Sequence, residues 1–423
     1  MEMKSINLPQ ACALYIAAIL GSGVLFMSGT TAHVAGPASL LAWAVIILLS
    51  FPLAYAFAAM SRLHPDAGGA ATFVKMAFGP HAGALVGWFY YFAAAVGQMI
   101  VSLTGAYYVS TAFHLSKAGT LSVALFIIAA GGAANAYGLR LSGKISLVLS
   151  SLLISLLLTV ILLSLPRIAW SHFSPFFPHG MYPIGTAMAM ILWSFFGWEA
   201  ICSLADRFKR PETDLVRSSM ISAVIIGLIF LLLSFVTIGT KTYGSTDSNL
   251  SPVGMMMYQA WGIGAQAATA CLAFLICLST VNAYVASTGQ LGFALSRDGA
   301  LPHWLSQLHP VRQTPVRSIG LFVTASTLGI VASVAYDIPF DTLLFIPNSL
   351  GLTVYLLSMA AGLKLFQRRS LPWWASLVSL CLCLVSLPFF GLYVFVPVLI
   401  SAAYFLYRFR QKQWALQKKT DGP

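Results

Sequence analysis

Two short stretches of this sequence carry residue types that an uninterrupted membrane helix would not select. The first is Gly21-Ser22-Gly23-Val24, set inside a long apolar run. The second is Trp193-Ser194-Phe195-Phe196-Gly197-Trp198-Glu199. Two glycines flanking a serine cost a helix roughly 2–3 kcal/mol relative to alanine, and they let the backbone unwind with its amides exposed. A half-helix restarting near Val24 presents free N–H groups and the positive end of its dipole, which suit a carboxylate. Carbonyl oxygens released around Phe195, Phe196 and Gly197 suit an ammonium. A ligand carrying both charges on one carbon is an α-amino acid, and neither charge then needs a charged side chain. Taken singly, each stretch also reads as a close-packing site between helices.

Glu199 is the one acidic residue deep in an apolar run. Acids at that depth mark proton or ion pathways more often than not. The competing role is a neutral carboxyl that braces unwound backbone, and a glutamine at 199 separates the two. Asp206, beside Arg207, is either part of a gate at the cytoplasmic end of the same run or a solvated surface pair.

The elements that position these groups follow from composition. The chain has 423 residues, 59% hydrophobic and only 8% charged, with a mean hydropathy of +0.85. A soluble domain carries about 25% charged residues, so lipid is the solvent of most of this protein. Twelve runs are long enough to cross a bilayer as helices: 9–33, 38–61, 82–112, 119–137, 145–165, 184–206, 216–240, 262–295, 316–335, 340–363, 372–388 and 390–408. The runs are continuous rather than alternating, which excludes barrel strands. No small-residue cleavage site follows the first run, so it is expected to stay in the protein. The expected class is an all-α integral membrane protein with one transmembrane domain over 1–408 and a cytoplasmic tail over 409–423.

The net charge of +12 is a topology signal, not a nucleic-acid footprint. With the N-terminus inside, 20 of the 23 lysines and arginines fall in cytoplasmic segments, and only Lys117, Arg167 and Lys241 lie outside. Both termini are therefore expected in the cytoplasm. The six cysteines all lie in apolar runs and the eight histidines are scattered, so neither a metal set nor a resident cofactor is expected. An integral-membrane enzyme would need a polar catalytic cluster near one interface, and a channel would need rings of like charge or repeated filter loops. Neither pattern is present, nor is a Walker motif for an ATP-driven pump.

The two interruptions fall in spans 1 and 6, the first positions of two five-span halves, and the halves enter the membrane from opposite sides. Broken helices at matched positions of inverted halves point to a substrate site at the midplane. The halves cover about 8–165 and 183–366, with two extra helices over about 371–408.

These residues resemble the amino acid–polyamine–organocation (APC) transporters. Gly21-Ser22-Gly23-Val24 is similar to that family's span-1 substrate loop, and Trp193 to Glu199 to its span-6 segment. Pro65-Asp66-Ala67-Gly68-Gly69 with Ala77-Phe78-Gly79-Pro80 resembles its loop between spans 2 and 3. Lys209-Arg210-Pro211-Glu212 and Ser296-Arg297-Asp298-Gly299-Ala300-Leu301-Pro302 resemble its loops after spans 6 and 8. Within the family the chain looks most like bacterial methionine and branched-chain amino acid exporters. The resemblance implies an inner-membrane carrier working by alternating access. It implies that Gly21, Ser22, Gly23 and Val24 are substrate-binding, with Ser22 and Gly23 on the carboxylate, that the Phe195 and Phe196 carbonyls beside Gly197 take the amino group, and that Trp193 is an aromatic gate. Ala93, Ala94, Gln98 and Val101 on span 3 would line the side-chain pocket, with Ser279, Asn282, Asn348 and Ser349 as further polar liners.

One departure bears on coupling. Several family members carry a lysine midway along span 5, whereas this chain reads Ser150-Ser151-Leu152 there and has Lys144 at the span's cytoplasmic end. Either Na⁺ uses that site, with Ser279 or Thr280 hydroxyls, or H⁺ coupling lies elsewhere, with Glu199 the leading residue. Beyond Glu199, no midplane acid stands ready for a cationic side chain. The expected cargo is therefore a neutral, apolar L-amino acid, moved by secondary active transport such as proton-coupled efflux. Exchange or uptake, or carriage of other amino acids or cationic amines, is the alternative.

Overall fold

The computed structural model describes residues 6–63, 69–138, 143–199, 205 and 208–420. Among these residues there is no strand, and one isolated parallel bridge pairs Ile6 with Phe208. The helices are α1 (Leu8–Leu20), α2 (Gly23–Ala35), α3 (Ser39–Leu63), α4 (Ala70–Phe78), α5 (Pro80–Phe113), α6 (Lys117–Ala136), α7 (Gly143–Ser164) and α8 (Tyr182–Ile191). They continue as α9 (Pro211–Gly239), α10 (Thr246–Leu250), α11 (Pro252–Trp261), α12 (Ile263–Arg297), α13 (Val316–Ala335), α14 (Phe340–Leu365), α15 (Leu371–Ser386) and α16 (Val396–Thr420).

Nine stretches among the described residues are long and apolar enough to cross a membrane. Two of them, Gly23–Leu63 and Leu371–Gln413, run to 41 and 43 residues, and Leu8–Leu20 and Tyr182–Phe195 are shorter apolar helices. Burial separates core from periphery. The most apolar windows of α5, α9 and α14 are 56%, 61% and 67% buried, against 22% for Leu371–Gln413. The first three form the centre, and the last wraps its outside. Leu392, Leu399, Leu162 and Val385 are largely exposed, as suits side chains that face hydrocarbon.

Local chemistry explains the boundaries nearest the site. A capping box starts α1: Asn7 Oδ1 accepts from the Gln10 amide and Gln10 Oε1 from the Asn7 amide, each at 3.1 Å. Gly79, at φ +92°, turns the chain from α4 into the proline that opens α5. α4, α10 and α11 are short helices in segments between the long apolar runs, where sequence periodicity had too few residues to show them. α10 closes over α2 at Gly29, where an added Cβ would meet the Ser248 carbonyl at 2.6 Å and the Asn249 carbonyl at 2.7 Å.

Candidate functional site

Both interruptions are real breaks in the helix path. α1 stops at Leu20, Gly21 takes φ +20° and ψ −146°, and α2 resumes at Gly23. Ser22 heads α2 without a side-chain cap, and the first backbone bond across this start is Leu25 N–H to the Ser22 carbonyl at 3.2 Å. The amides before it have no intrahelical acceptor, as at any helix start. In the second break α8 ends at Ile191 and tightens into a 3₁₀ turn over Leu192–Phe195. Phe196 is then extended (φ −73°, ψ 132°), and Gly197 reaches φ +140°, a conformation L side chains rarely adopt.

The breaks face each other across Trp193. A Cβ at Gly23 would stand 2.9 Å from Ser194 Oγ and 3.1 Å from Trp193 Cδ1. A Cβ at Gly97, on α5, would stand 2.9 Å from Trp193 Cη2. The indole therefore spans from the start of α2 to the middle of α5. Gly197 closes the other flank, its position for a Cβ lying 3.0 Å from Ile19 Cγ1 on α1. Ser194 Oγ is buried with no hydrogen-bond partner among the described residues, an orphaned polar atom in the gap between the two breaks.

α14 tracks the second break with a single face. Asn348 Nδ2 donates to the carbonyls of Ala189 at 2.8 Å and Met190 at 3.2 Å, the last turn of α8. One turn on, Gly351 leaves room for the Phe196 ring, which a Cβ there would strike. One turn further, the Tyr355 hydroxyl lies 3.1 Å from the Phe195 carbonyl and 2.7 Å from Glu199 Oε2. The same carboxyl oxygen accepts the Gly197 amide at 3.2 Å. The Tyr90 hydroxyl approaches this carboxyl from α5, and Tyr284 on α12 lies within reach of its charge. Glu199 thus ties the unwound backbone to α14 and α5.

On α5, the face that carries Gly97 also carries Tyr90, Ala93, Ala94, Val101 and Tyr108 at helical spacings of three and four. Ala93 and Ala94 are half-buried and Val101 is buried. Gln98 lies on a different face. Gly105 packs on Cys277 and Gly87 on Leu295, which sets an antiparallel register with α12 and puts Gln98 level with Tyr284. Gln98 is buried, and its Oε1 has no partner among the described residues. Thr280 Oγ1 bonds its own helix at the Ile276 carbonyl at 2.8 Å, and Ser279 is half-buried beside it. Asn282 turns to α6, where Asn135 Nδ2 donates to its carbonyl and to its Oδ1, each at 2.9 Å. Ser349 is buried and bonds the Ile346 carbonyl of its own helix at 2.9 Å. Asp206 and the Pro65–Gly68 loop lie outside the described residues.

The start of α2 is sealed toward the α10 end of the bundle. The Tyr108 hydroxyl donates to the Leu25 carbonyl, Phe26 meets Phe340 edge to face at 5.0 Å, and Thr30 Oγ1 donates to the Asn249 carbonyl at 3.2 Å. Toward the opposite end Tyr284 is 45% exposed, on α12 at the level of Gln98. Tyr355, Gly97 and Gly351 were not among the residues singled out from sequence. The spacing of Asn348, Gly351 and Tyr355 on one helical face was the available signal.

The sequence profile described as amino acid permease matches residues 6–410. An amino acid permease of Bacillus subtilis (strain 168), YecA, is 34% identical over 407 residues, covering 96% of this chain and 95% of that protein. The L-methionine/branched-chain amino acid exporter YjeH of Escherichia coli (strain K12) is 28% identical over 373 residues, 86% of this chain and 87% of its own. The branched-chain amino acid permease BcaP of Bacillus subtilis (strain 168) is 25% identical over 376 residues, 84% and 79% of the two chains.

Proposed function

This chain belongs to the amino acid permease family, as its likeness to the APC transporters implied, and is a membrane transport protein rather than an enzyme; on that premise we propose that it carries neutral, apolar L-amino acids by alternating access. The observation that carries the reading is the meeting of two helix breaks at Gly23 and Ser194, with a partnerless hydroxyl between them. The substrate carboxylate binds the amides of Ser22 to Val24 at the start of α2, and the ammonium binds the Phe195 and Phe196 carbonyls. A carbonyl has two lone pairs, so the Tyr355 contact leaves Phe195 one to offer. The side chain lies along Ala93, Ala94 and Val101 under the Trp193 indole, and Gln98 bounds that pocket from the α12 side.

Twelve crossings arranged as two inverted five-helix halves plus two more fit the helix pattern. Gly23–Leu63 and Leu371–Gln413 each hold two crossings, α1 joins α2 in the first, and α8 with its 3₁₀ turn makes the sixth. The charge asymmetry supports a cytoplasmic N-terminus and C-terminus in a bacterial inner membrane. With that orientation the sealed α10 end is outside. The named cargoes of YjeH and BcaP support a methionine or branched-chain substrate. Glu199 is the coupling residue for H⁺ in this reading, and Ser279 with Thr280 is the site to test for Na⁺.

Counterflow in proteoliposomes, run against a panel of amino acids at several pH values with and without Na⁺, tests the proposal. Leucine and methionine should compete with labelled substrate at least tenfold better than arginine or lysine. The reverse order would overturn the neutral-substrate reading, and non-saturable flux would overturn the carrier.

A further inference from the structure

The groove between the start of α5 and the end of α16 has no part in the transport site. It encloses about 480 Å³ and is lined by His81, Phe405, Arg408, Phe409, Gln411 and Lys412. Its two halves differ in chemistry. Along α16, Val398, Ala402, Phe405 and Phe409 fall at spacings of four, three and four, so they form one stripe, and all four are exposed. That stripe runs into Lys412, three residues beyond Phe409, with Arg408 one turn before Lys412. An acyl-length apolar track thus ends at two cations.

The polar end is held in place by the protein. Arg408 Nη1 donates to the Gly299 carbonyl at 2.9 Å and to Gln411 Oε1 at 3.1 Å, which uses two of the five N–H groups of a guanidinium. Gln411 is fixed in turn by a bond to the Tyr407 hydroxyl at 2.6 Å. His81 Nδ1 and the Tyr404 hydroxyl are 2.9 Å apart. With Tyr404 donating, the imidazole carries its proton on Nε2 and has a donor to offer the groove. His81 is also in the first turn of α5, which Gly79 starts without a side-chain cap, so the helix dipole adds positive potential there. Trp88 packs edge to face on Tyr404 at 5.4 Å, an aromatic floor typical of the membrane–water interface.

We infer that this groove binds the phosphate of an anionic phospholipid, with one acyl chain lying along Val398, Ala402, Phe405 and Phe409. Arg408, Lys412 and His81 supply the donors. A free phosphate would use the same donors, but it leaves the aromatic half of the groove without a ligand, and this favours the lipid.

The test uses the full-length protein in detergent with dioleoyl phosphatidylglycerol, dioleoyl phosphatidylcholine or inorganic phosphate added. Native mass spectrometry counts retained lipids, and a thermal ramp reports stabilisation. Phosphatidylglycerol should be retained in preference to phosphatidylcholine and should raise the melting midpoint. Lys412→Gln should weaken retention about fivefold, the value of roughly one interfacial charge, and Arg408→Gln with Lys412→Gln should weaken it further. Lys412 is exposed and makes no bond that Arg408 needs, so its variant keeps the test valid if the double variant folds poorly. Equal retention of the two lipids, or wild-type retention by Lys412→Gln, would overturn the site. Stabilisation by inorganic phosphate as large as that by phosphatidylglycerol would overturn the lipid as occupant.

Discussion

Tyr355 stands between Glu199 and the Phe195 carbonyl with one hydroxyl hydrogen and two acceptors, at 2.7 and 3.1 Å. An ionised Glu199 can only accept, so it draws that hydrogen and releases the Phe195 carbonyl. A protonated Glu199 can donate to the Tyr355 oxygen and send the hydrogen back to Phe195. The protonation state of the acid is thereby written onto the carbonyl proposed to bind the substrate ammonium. Substrate affinity should rise with pH as the carbonyl is freed. Glu199→Gln should flatten that dependence, and Tyr355→Phe should hold affinity near its high-pH value, a change of about tenfold at low pH for one hydrogen bond to a charged group. Counterflow KM between pH 5.5 and 8 measures it. A glutamine variant with the wild-type pH profile would remove Glu199 from coupling.

The contact between the two breaks predicts that Gly23 tolerates no side chain. A Cβ there must displace Ser194 Oγ at 2.9 Å and the edge of Trp193 at 3.1 Å, and overpacking of this kind costs about 1–3 kcal/mol. Gly23→Ala should lower transport at least tenfold while the protein still reaches the membrane. Gly320→Ala is the control: it sits within α13 with open space around it, so transport should be unchanged and stability equal or slightly higher. Equal transport by both variants would mean that the breaks do not need to touch.

What could be read from sequence was local. Gly21 and Gly197 mark the breaks because glycine is the residue that accepts φ +20° and φ +140°, and that preference is visible in the letters alone. Nine apolar stretches among the described residues are helices of spanning length, since hydrocarbon requires satisfied backbone along each crossing. The partners of the breaks were not legible. Gly97 looks like any small residue in a membrane helix until Trp193, far along the chain, lies on it. Tyr355 was not singled out, because its role depends on the register of α14 against α8. Asn282, read as a candidate substrate liner, points instead to Asn135, a choice made by helix rotation that periodicity in a uniformly apolar helix does not encode.

That asparagine pair gives a structural prediction. Asn135 Nδ2 reaches three acceptors, the Gly131 carbonyl and two atoms of Asn282, all at 2.9 Å. Interhelical side-chain bonds in membranes contribute about 0.6 kcal/mol on average and up to about 1.7. Asn135→Ala should therefore lower the melting midpoint of the detergent-solubilised protein by a few degrees and leave the order of substrate preference intact. Asn282→Ala should do the same. A changed preference in either variant would return Asn282 to the binding pocket.

The indole of Trp193 is clamped at both ends, by Gly23 on one side and Gly97 on the other, so the two glycines should be coupled through it. Gly97→Ala pushes the six-membered ring toward Gly23 and into the proposed pocket, which should raise KM for leucine or methionine about tenfold. Trp193→Phe shortens the ring and opens space at the Gly97 end. The pair should then be non-additive: Gly97→Ala placed on Trp193→Phe should cost much less than on the wild type, with a coupling energy of about 1 kcal/mol or more, because the atom that Cβ met is gone. Trp193→Ala should go further and admit bulkier side chains, shifting competition toward phenylalanine and tryptophan relative to methionine. Purely additive effects in the double-mutant cycle would show that Trp193 does not bridge the two helices during transport, and its gate role would fall with that result.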